Sequence, residues 1–333
     1  MNAIKDHLIF CRNHDLDPFL PSSRRHSERG DVRLILKIDG ARDLTWEEIE
    51  NLTAGDIGTF TMPCPYCGPE KLHSERFQLK RPHLNYASWH CFYCGASGSA
   101  NSGGAIDPVK EAEARRRSIE RDNVAKAEKT GRALGIWDEA VSIRGTIAEE
   151  YLRSRAVDEL PPNVDAVLRY HSRCPFGLHG TCPSMVALFR NVSTDEPQAI
   201  HRTWIGPRGK AYQRMALGPI ARAAIKLWPL DGSTLVVGEG IETALSAAIH
   251  LRHKGEVLQP AWALSVANNL KYFPVTRGVK RLVILVDNDE SGTGQKAAEI
   301  CSQRWCDAGR EVVKLIPKGS GQDFNDVVKE MVR

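Results

Sequence analysis

The sequence predicts an α/β protein, α+β overall, in three parts: a small cysteine-rich module, a β-rich middle segment and a C-terminal α/β domain with a mainly parallel sheet. Three observations carry that expectation. Two CxxC pairs stand in the first third of the chain, with 23 residues between them. Residues 143–232 hold several short apolar runs and few helix signals. From residue 233 onward, strand-like and helix-like runs alternate, as βαβ units require. The 333 residues suit about two to three domains. A content of 42% hydrophobic and 26% charged residues excludes a wholly disordered chain.

The elements follow in order. Residues 1–60 form an N-terminal segment of unassigned role. Its readable element is a helix over 45–52, where Thr45 and Glu48 have capping-box spacing. Residues 61–96 hold the cysteine pairs. Residues 97–142 read as a linker and a charged helix. The stretch 96–106 (ASGSANSGGAI) is Gly/Ser-rich, which predicts flexibility. Asp107 and Pro108 then suit the N-cap and first turn of a helix reaching about residue 133. Large apolar residues are few there, so a solvated helix is expected. In the segment 143–232, Thr146 and Glu149 predict a second capping box. The runs 166–170, 184–189, 199–205 and 224–228 predict an antiparallel sheet. In 233–333, strands are expected at 235–237, 261–266, 281–286 and 311–316, with helices at 242–253 and 294–306. Ligands of such parallel sheets bind beyond the carboxyl ends of the strands.

Charge and targeting signals narrow the compartment and partners. Net charge is only +4, too weak to identify a nucleic-acid partner by itself. Residues 130–231 are the Arg-rich part, with 13 basic side chains of which 11 are Arg. Guanidinium groups suit planar contacts to phosphate. No run of 18 apolar residues occurs, so no membrane span is expected, and the N-terminus lacks a secretory h-region. A cytoplasmic location, with reduced thiols, is the expectation.

Cys64-Pro-Tyr-Cys67 and Cys91-Phe-Tyr-Cys94 are each followed by Gly. Each pair is a turn that aims two thiolates at one ion, and two turns make a closed tetrahedral site, so a structural Zn²⁺ in a zinc ribbon is expected. The odd total of nine cysteines also argues against a disulfide framework. Lys71, Arg76, Lys80 and Arg81 interleave with Phe77, Tyr86, Trp89, Phe92 and Tyr93. Two readings stand side by side: bases stack on these aromatics while cations hold phosphates, or the aromatics are the small core of the ribbon. Lys80, Arg81 and Trp89 are the nucleic-acid candidates under the first. A second cluster, His171, Cys174, His179 and Cys182, has ligand-like spacing, but buried thiols and loop histidines explain it better than a metal.

Acids recur at the ends of apolar strands. Glu239 stands in Gly238-Glu239-Gly240, and Asp287 and Asp289 in Asp287-Asn288-Asp289-Glu290-Ser291-Gly292. Asp323 and Asp326 follow in Asp323-Phe324-Asn325-Asp326. Carboxylates at strand ends are costly unless solvated or paired with cations. Hard oxygen ligands of this kind suit Mg²⁺ or Mn²⁺. An ordinary set of loop acids is the alternative, and three such motifs in one α/β unit weigh against it.

These residues carry a resemblance. Residues 234–333 look like a Toprim domain through VVGEGIETALSAA, LVILVDNDESG and DFNDVV. The chain from 61 onward resembles the primase-like proteins of phages, plasmids and integrated mobile elements. The further matching pieces are GTIAEEYLRSRAV, LRYHSRCPFG and AIHRTWIGPRGKA. Many bacterial primases have one His among the zinc ligands, whereas this chain offers four Cys. The resemblance implies a DNA primase, a nucleotidyltransferase making short RNA primers on single-stranded DNA in the replication of such an element. It implies Glu239, Asp287 and Asp289 as catalytic and Mg²⁺-binding groups, with Asp323 and Asp326 completing the acidic site. It implies Arg202, Arg208 and Lys210 at nucleotide or template phosphates, or else as a solvated basic loop. Single-stranded template and nucleoside triphosphates would be the partners. No GxxxxGK[ST] loop occurs, so a helicase would be a separate chain. A Toprim nuclease and a non-catalytic nucleic-acid-binding module are the competing readings.

Overall fold

The computed structural model describes residues 4–9, 43–67, 76–206 and 210–332. They fall into two compact units, one formed by 17–125 and one by 1–16 together with 126–333. The first strand, β1 (Ile4–Ile9), belongs to the latter and pairs there with the last strand.

In the unit 17–125, helix α1 (Trp46–Thr53) starts as the sequence predicts, with Thr45 and Glu48 closing a capping box. An antiparallel meander follows: β2 (Gly58–Met62), β3 (Phe77–His83), β4 (Tyr86–Cys91) and β5 (Ser97–Asn101). Its core is Ile49, Phe77, Leu79, Ala87 and Trp89, with Cys64 and Cys91 beside them. The expected flexible linker is thus partly wrong, because 97–101 is the edge strand β5. A Cβ on Gly98 would lie 2.4 Å from the Trp89 ring, so the strand's small residues are what let it cover that indole. Asp107 caps the next helix, α2 (Pro108–Glu139), through Val109 N–H at 2.9 Å. Its early turns hold Asp56 with Arg117 and Arg121, at 2.8 and 2.9 Å.

The other unit holds two larger sheets. Helix α2 runs past the expected end near 133, and its last turns are not solvated. Ala133, Ile136 and Trp137 are buried against Val186, Leu188 and Ile200. The short β6 (Val141–Ser142) leads to α3 (Ile147–Ser154). Thr146 caps α3 through Ala148 N–H, but the expected capping box does not close: the Glu149 carboxylate accepts from Gly145 N–H instead. Strands β7 (Leu168–Pro175), β8 (Thr181–Asn191), β9 (Pro197–Gly206) and β10 (Lys210–Leu217) form an antiparallel sheet in the order β10-β9-β8-β7-β6. The expected strand over 224–228 shrinks to β11 (Ala223–Ala224), paired with β8. Met185, Ala187 and Phe189 face one core, and Val186 and Leu188 the other. Both faces are covered, which is why this strand reads as a continuous apolar run.

The C-terminal sheet begins with β12 (Thr234–Gly238) and α4 (Ile241–His250). The helix stops short of the expected residue 253 because β13 (Arg252–His253) pairs with β14 (Glu256–Val257). Then come β15 (Ala261–Ala263), α5 (Ala267–Lys271), β16 (Arg281–Leu285), α6 (Thr293–Asp307), β17 (Glu311–Pro317) and α7 (Phe324–Met331). Strand order is β1-β17-β16-β12-β15, with β1 antiparallel at the edge and the other four parallel. Side chains of α4 and α7 share one core with Val236, Val283 and Leu315. Side chains of α5 and α6 share another with Val237, Ile284 and Trp262. No helix among the described residues is long and apolar enough to cross a membrane.

Candidate functional site

The four cysteine sulfurs converge as the spacing predicts, all within 4.8 Å of one another. A Zn–S bond of about 2.3 Å gives a tetrahedral S···S edge of about 3.8 Å. Cys64 Sγ lies 3.8 Å from Cys94 Sγ, and Cys67 Sγ 3.7 Å from Cys91 Sγ. Tyr66 N–H donates to Cys64 Sγ and Tyr93 N–H to Cys91 Sγ, each at 3.4 Å, so the two turns orient their thiolates alike. Gly95 takes φ +75°, which a side chain rarely adopts, while the other trailing glycine, Gly68, and also Lys71 lie outside the described residues. Burial raises the Cys64 thiol, and burial raises Cys67 to about 11. At Cys91 burial is outweighed by the N–H groups of Cys94 and Tyr93, and its pKa falls to about 7. The donor set and spacing fit Zn²⁺.

Around this centre two of the three nucleic-acid candidates are structural. Trp89 is buried in the ribbon core. Arg81 is 1% exposed, bonded to Glu50 at 2.5 Å, to Thr53 Oγ1 and to the Leu84 carbonyl, and it lies over the Trp46 ring. Both terminal nitrogens of this buried guanidinium are occupied by protein acceptors, which leaves none of it exposed for phosphate. Lys80 is exposed. The most exposed of its aromatics are Phe92 and Tyr93, 67% and 50% exposed at the second knuckle, with Tyr86 also at the surface.

The second cysteine–histidine cluster gathers no metal site. Cys174 and Cys182 are buried cross-strand partners, His171 pairs with Glu139, and His179 packs on Trp204. Among the described residues only the four ribbon cysteines bring three or more such ligands together.

The acids gather at the carboxyl ends of the parallel strands. Gly238 and Leu285 are paired neighbours in β12 and β16, so Glu239 and Asp287 leave adjacent strand ends. The loop after β16 is stitched to the loop after β17. Asn288 Nδ2 donates to the carbonyls of Pro317 and Gly319, and Asn288 N–H to Gln322 O. That draws Asp323 toward Asp287. Burial, then the charges of Asp323 and Glu239, raise Asp287 to about 7. Burial and Asp289 raise Glu239. Asp289 is lowered, chiefly by the Ser291 hydroxyl at 2.5 Å. Asp287 Oδ1 is buried with no hydrogen-bond partner. An orphaned carboxylate oxygen among other carboxylates is a group that a cation satisfies. The acids are more spread out than the cysteines, which suits Mg²⁺, an ion that takes few protein carboxylates and keeps waters or phosphate oxygens.

Asp323 and Asp326 also do something the sequence reading missed. They form the capping box of α7, Asp326 N–H donating to Asp323 Oδ1 at 2.8 Å. Asp323 lines the site as well, whereas the Asp326 carboxylate turns back to Asp323 N–H.

A cleft of about 680 Å³ is lined by Glu239, Asp287 and Asp323 together with Arg155, Lys210, Arg214 and Lys329, and Arg155 lies 4.0 Å from the Asp323 carboxylate. Of the two described basic candidates in the middle segment, Lys210 reaches it and Arg202 does not. Arg202 is corrected: it is 5% exposed, donates to the carbonyls of Pro175 and Ala216 and lies over the Phe176 ring. Arg208 lies outside the described residues. Sequence reasoning also missed a network in the cleft wall, in which Tyr151 and Glu242 are buried and Arg214 is half-exposed. Tyr151 OH donates to Glu242 Oε1 at 2.5 Å, and Arg214 Nη2 donates to both, at 3.0 and 3.1 Å. Glu242 stood in the same GEGIET motif as Glu239 and could have been found there. Arg155 and Tyr151 lay in the quoted piece GTIAEEYLRSRAV, whereas Lys329 carries no such signal.

Comparisons with known families agree with this geometry. No curated protein matches the chain. Residues 127–227 match a domain of unknown function, DUF7146. Residues 234–332 match the Toprim domain. Toprim domains bind Mg²⁺ and occur in primases, nucleases and topoisomerases, which act on nucleic acid. The C-terminal parallel sheet with its acidic strand ends is therefore a Toprim domain, and this chain is a Toprim-containing protein.

Proposed function

We propose that this protein is a DNA primase that makes short RNA primers on single-stranded DNA for a phage or mobile element. The observation that carries the reading is the cleft, whose lining combines Asp287, with its unpartnered buried oxygen, and Glu239 with Lys210, Arg214 and Arg155. Acids alone would serve a metal. Acids beside cations serve a metal together with a polyphosphate. Glu239, Asp287 and Asp289 would hold Mg²⁺, which when bound neutralises triphosphate charge and polarises the reacting phosphoryl group. Lys210 and Arg155 would bind the phosphates. Arg214, fixed by Tyr151 and Glu242, would orient them with little side-chain freedom left to lose. Glu239, raised by burial and by Asp289, is the group suited to take a proton from an attacking hydroxyl. The ribbon would hold template, with Lys80, Phe92 and Tyr93 as its exposed contacts.

The test is incubation with single-stranded DNA, ribonucleotides and Mg²⁺, with labelled oligomers as the readout. Short template-dependent oligomers support the reading. DNA cleavage without nucleotides identifies a Toprim nuclease instead. Binding with neither reaction, on varied templates, identifies a non-catalytic module.

A further inference from the structure

Strand β10 does not pair evenly with β9. Lys210 faces Gly206 and Ala211 faces Ile205, but the next paired residue is Gln213, opposite Trp204. Tyr212 is thus the extra residue of a β-bulge, a device that re-aims a side chain and recurs beside active sites. Its ring lies over the backbone of Gly206, where an added Cβ would sit 1.7 Å from the ring. The ring stacks on Trp204 with centroids 5.2 Å apart and planes at 26°. Trp204 is backed in turn by His179 and Phe176, at 5.4 and 6.0 Å. Bulge, glycine and aromatic support together fix an aromatic ring that nevertheless stays 57% exposed. On the same strand, Lys210 and Ala211 before it and Arg214 after it line the acidic cleft, while the Tyr212 ring turns to the Trp204 face of the sheet.

We infer that Tyr212, stacked on Trp204, is a platform on which a base of single-stranded nucleic acid stacks along the edge strand β10, while Lys210 on the same strand takes an adjoining phosphate. The ring supplies the π-face and the flanking cations supply charge complementary to the strand. The inference deepens the primase reading and rests on it for the strand's role, yet it is tested by binding alone.

The probe is a short labelled oligothymidylate, titrated by fluorescence anisotropy against the zinc-loaded full chain without nucleotide or Mg²⁺. Tyr212→Ala is expected to weaken binding about five- to hundredfold, the range of one lost base stack. Tyr212→Phe, which keeps the π-face, should bind within about twofold of the parent. Tyr212→Ala should leave the slope of log K against log salt unchanged, whereas Lys210→Ala should make it shallower by about 0.7. Photocrosslinking of an iodouracil oligonucleotide to the parent protein should mark Tyr212, and this decides the matter if Tyr212→Ala does not fold. The inference is overturned by parental affinity in Tyr212→Ala, by Tyr212→Phe losing as much as Tyr212→Ala, by a loss of affinity that tracks a lowered melting midpoint, or by crosslinks that fall only elsewhere. A protein that makes no primers but shows the Tyr212 effect refutes the primase reading and leaves this inference standing. One that makes primers but lacks the effect does the reverse.

Discussion

Replacing Asp287 by Asn should stabilise the protein in the absence of Mg²⁺, and by an amount that depends on pH. The carboxyl is raised from an ordinary 3.8 to about 7, by burial first and then by the surrounding acids. In the unfolded chain it ionises near its usual value, so between about pH 4 and 7 the folded state holds a proton that the unfolded state has lost. Stability therefore falls as pH rises through this window, by up to about 1.4 kcal/mol per unit, and flattens above the folded pKa. About three units of displacement gives on the order of 4 kcal/mol at pH 8 as an upper bound, which Asn would recover in part. The assay is urea denaturation of the zinc-loaded protein from pH 5 to 9 without Mg²⁺, parent against variant. The difference should grow from pH 5 to 7 and then level off. Added Mg²⁺ at pH 8 should stabilise the parent and not the variant. Superimposed pH profiles, or equal stabilisation of both proteins by Mg²⁺, would refute the burial and crowding assigned to this acid.

The remaining expectations concern the ribbon. Cys67→Ser or Cys91→Ser should abolish stoichiometric zinc in native mass spectrometry and collapse near-ultraviolet signals of the ribbon aromatics, since a structural zinc site contributes folding free energy. Retention of one zinc per chain by either variant would count against the four-thiolate site. Arg81→Ala should lower stability by about 3 kcal/mol, because it strips the buried partner of Glu50 and Thr53 while leaving the salt dependence of DNA binding unchanged. A shallower salt slope would restore Arg81 to the phosphate contacts. Gly98→Val should cost about 1–3 kcal/mol through its collision with Trp89, read as a shift in denaturation midpoint.

Much of the fold was legible because apolar pattern and burial coincide. The continuous runs in β8 and β16 announce strands covered on both faces, and the structure gives each of them two cores. The four cysteines were legible because a metal site needs only two local turns in register. What stayed hidden depended on long-range packing. Strand β5 looked like linker because its small residues exist to fit Trp89. Strand β10 shows no clean alternation because of the bulge at Tyr212. Helix α7 was masked by reading Asp323 and Asp326 as ligands when they also cap it. Arg81 and Arg202 looked like phosphate contacts because a sequence records charge but not the carbonyls and carboxylates that enclose it. The strand β1 at the sheet edge pairs through backbone groups 300 residues away in the chain, which no local pattern reveals.

The central claim is that the acids at the strand ends carry out nucleotidyl transfer. Its most direct test is primer synthesis on single-stranded DNA by the parent and by the double variant Asp287→Ala, Asp289→Ala, with zinc content and circular dichroism matched. Short ribonucleotide oligomers are expected from the parent, and none from the variant at any Mg²⁺ concentration. Synthesis that survives in the double variant would contradict the claim.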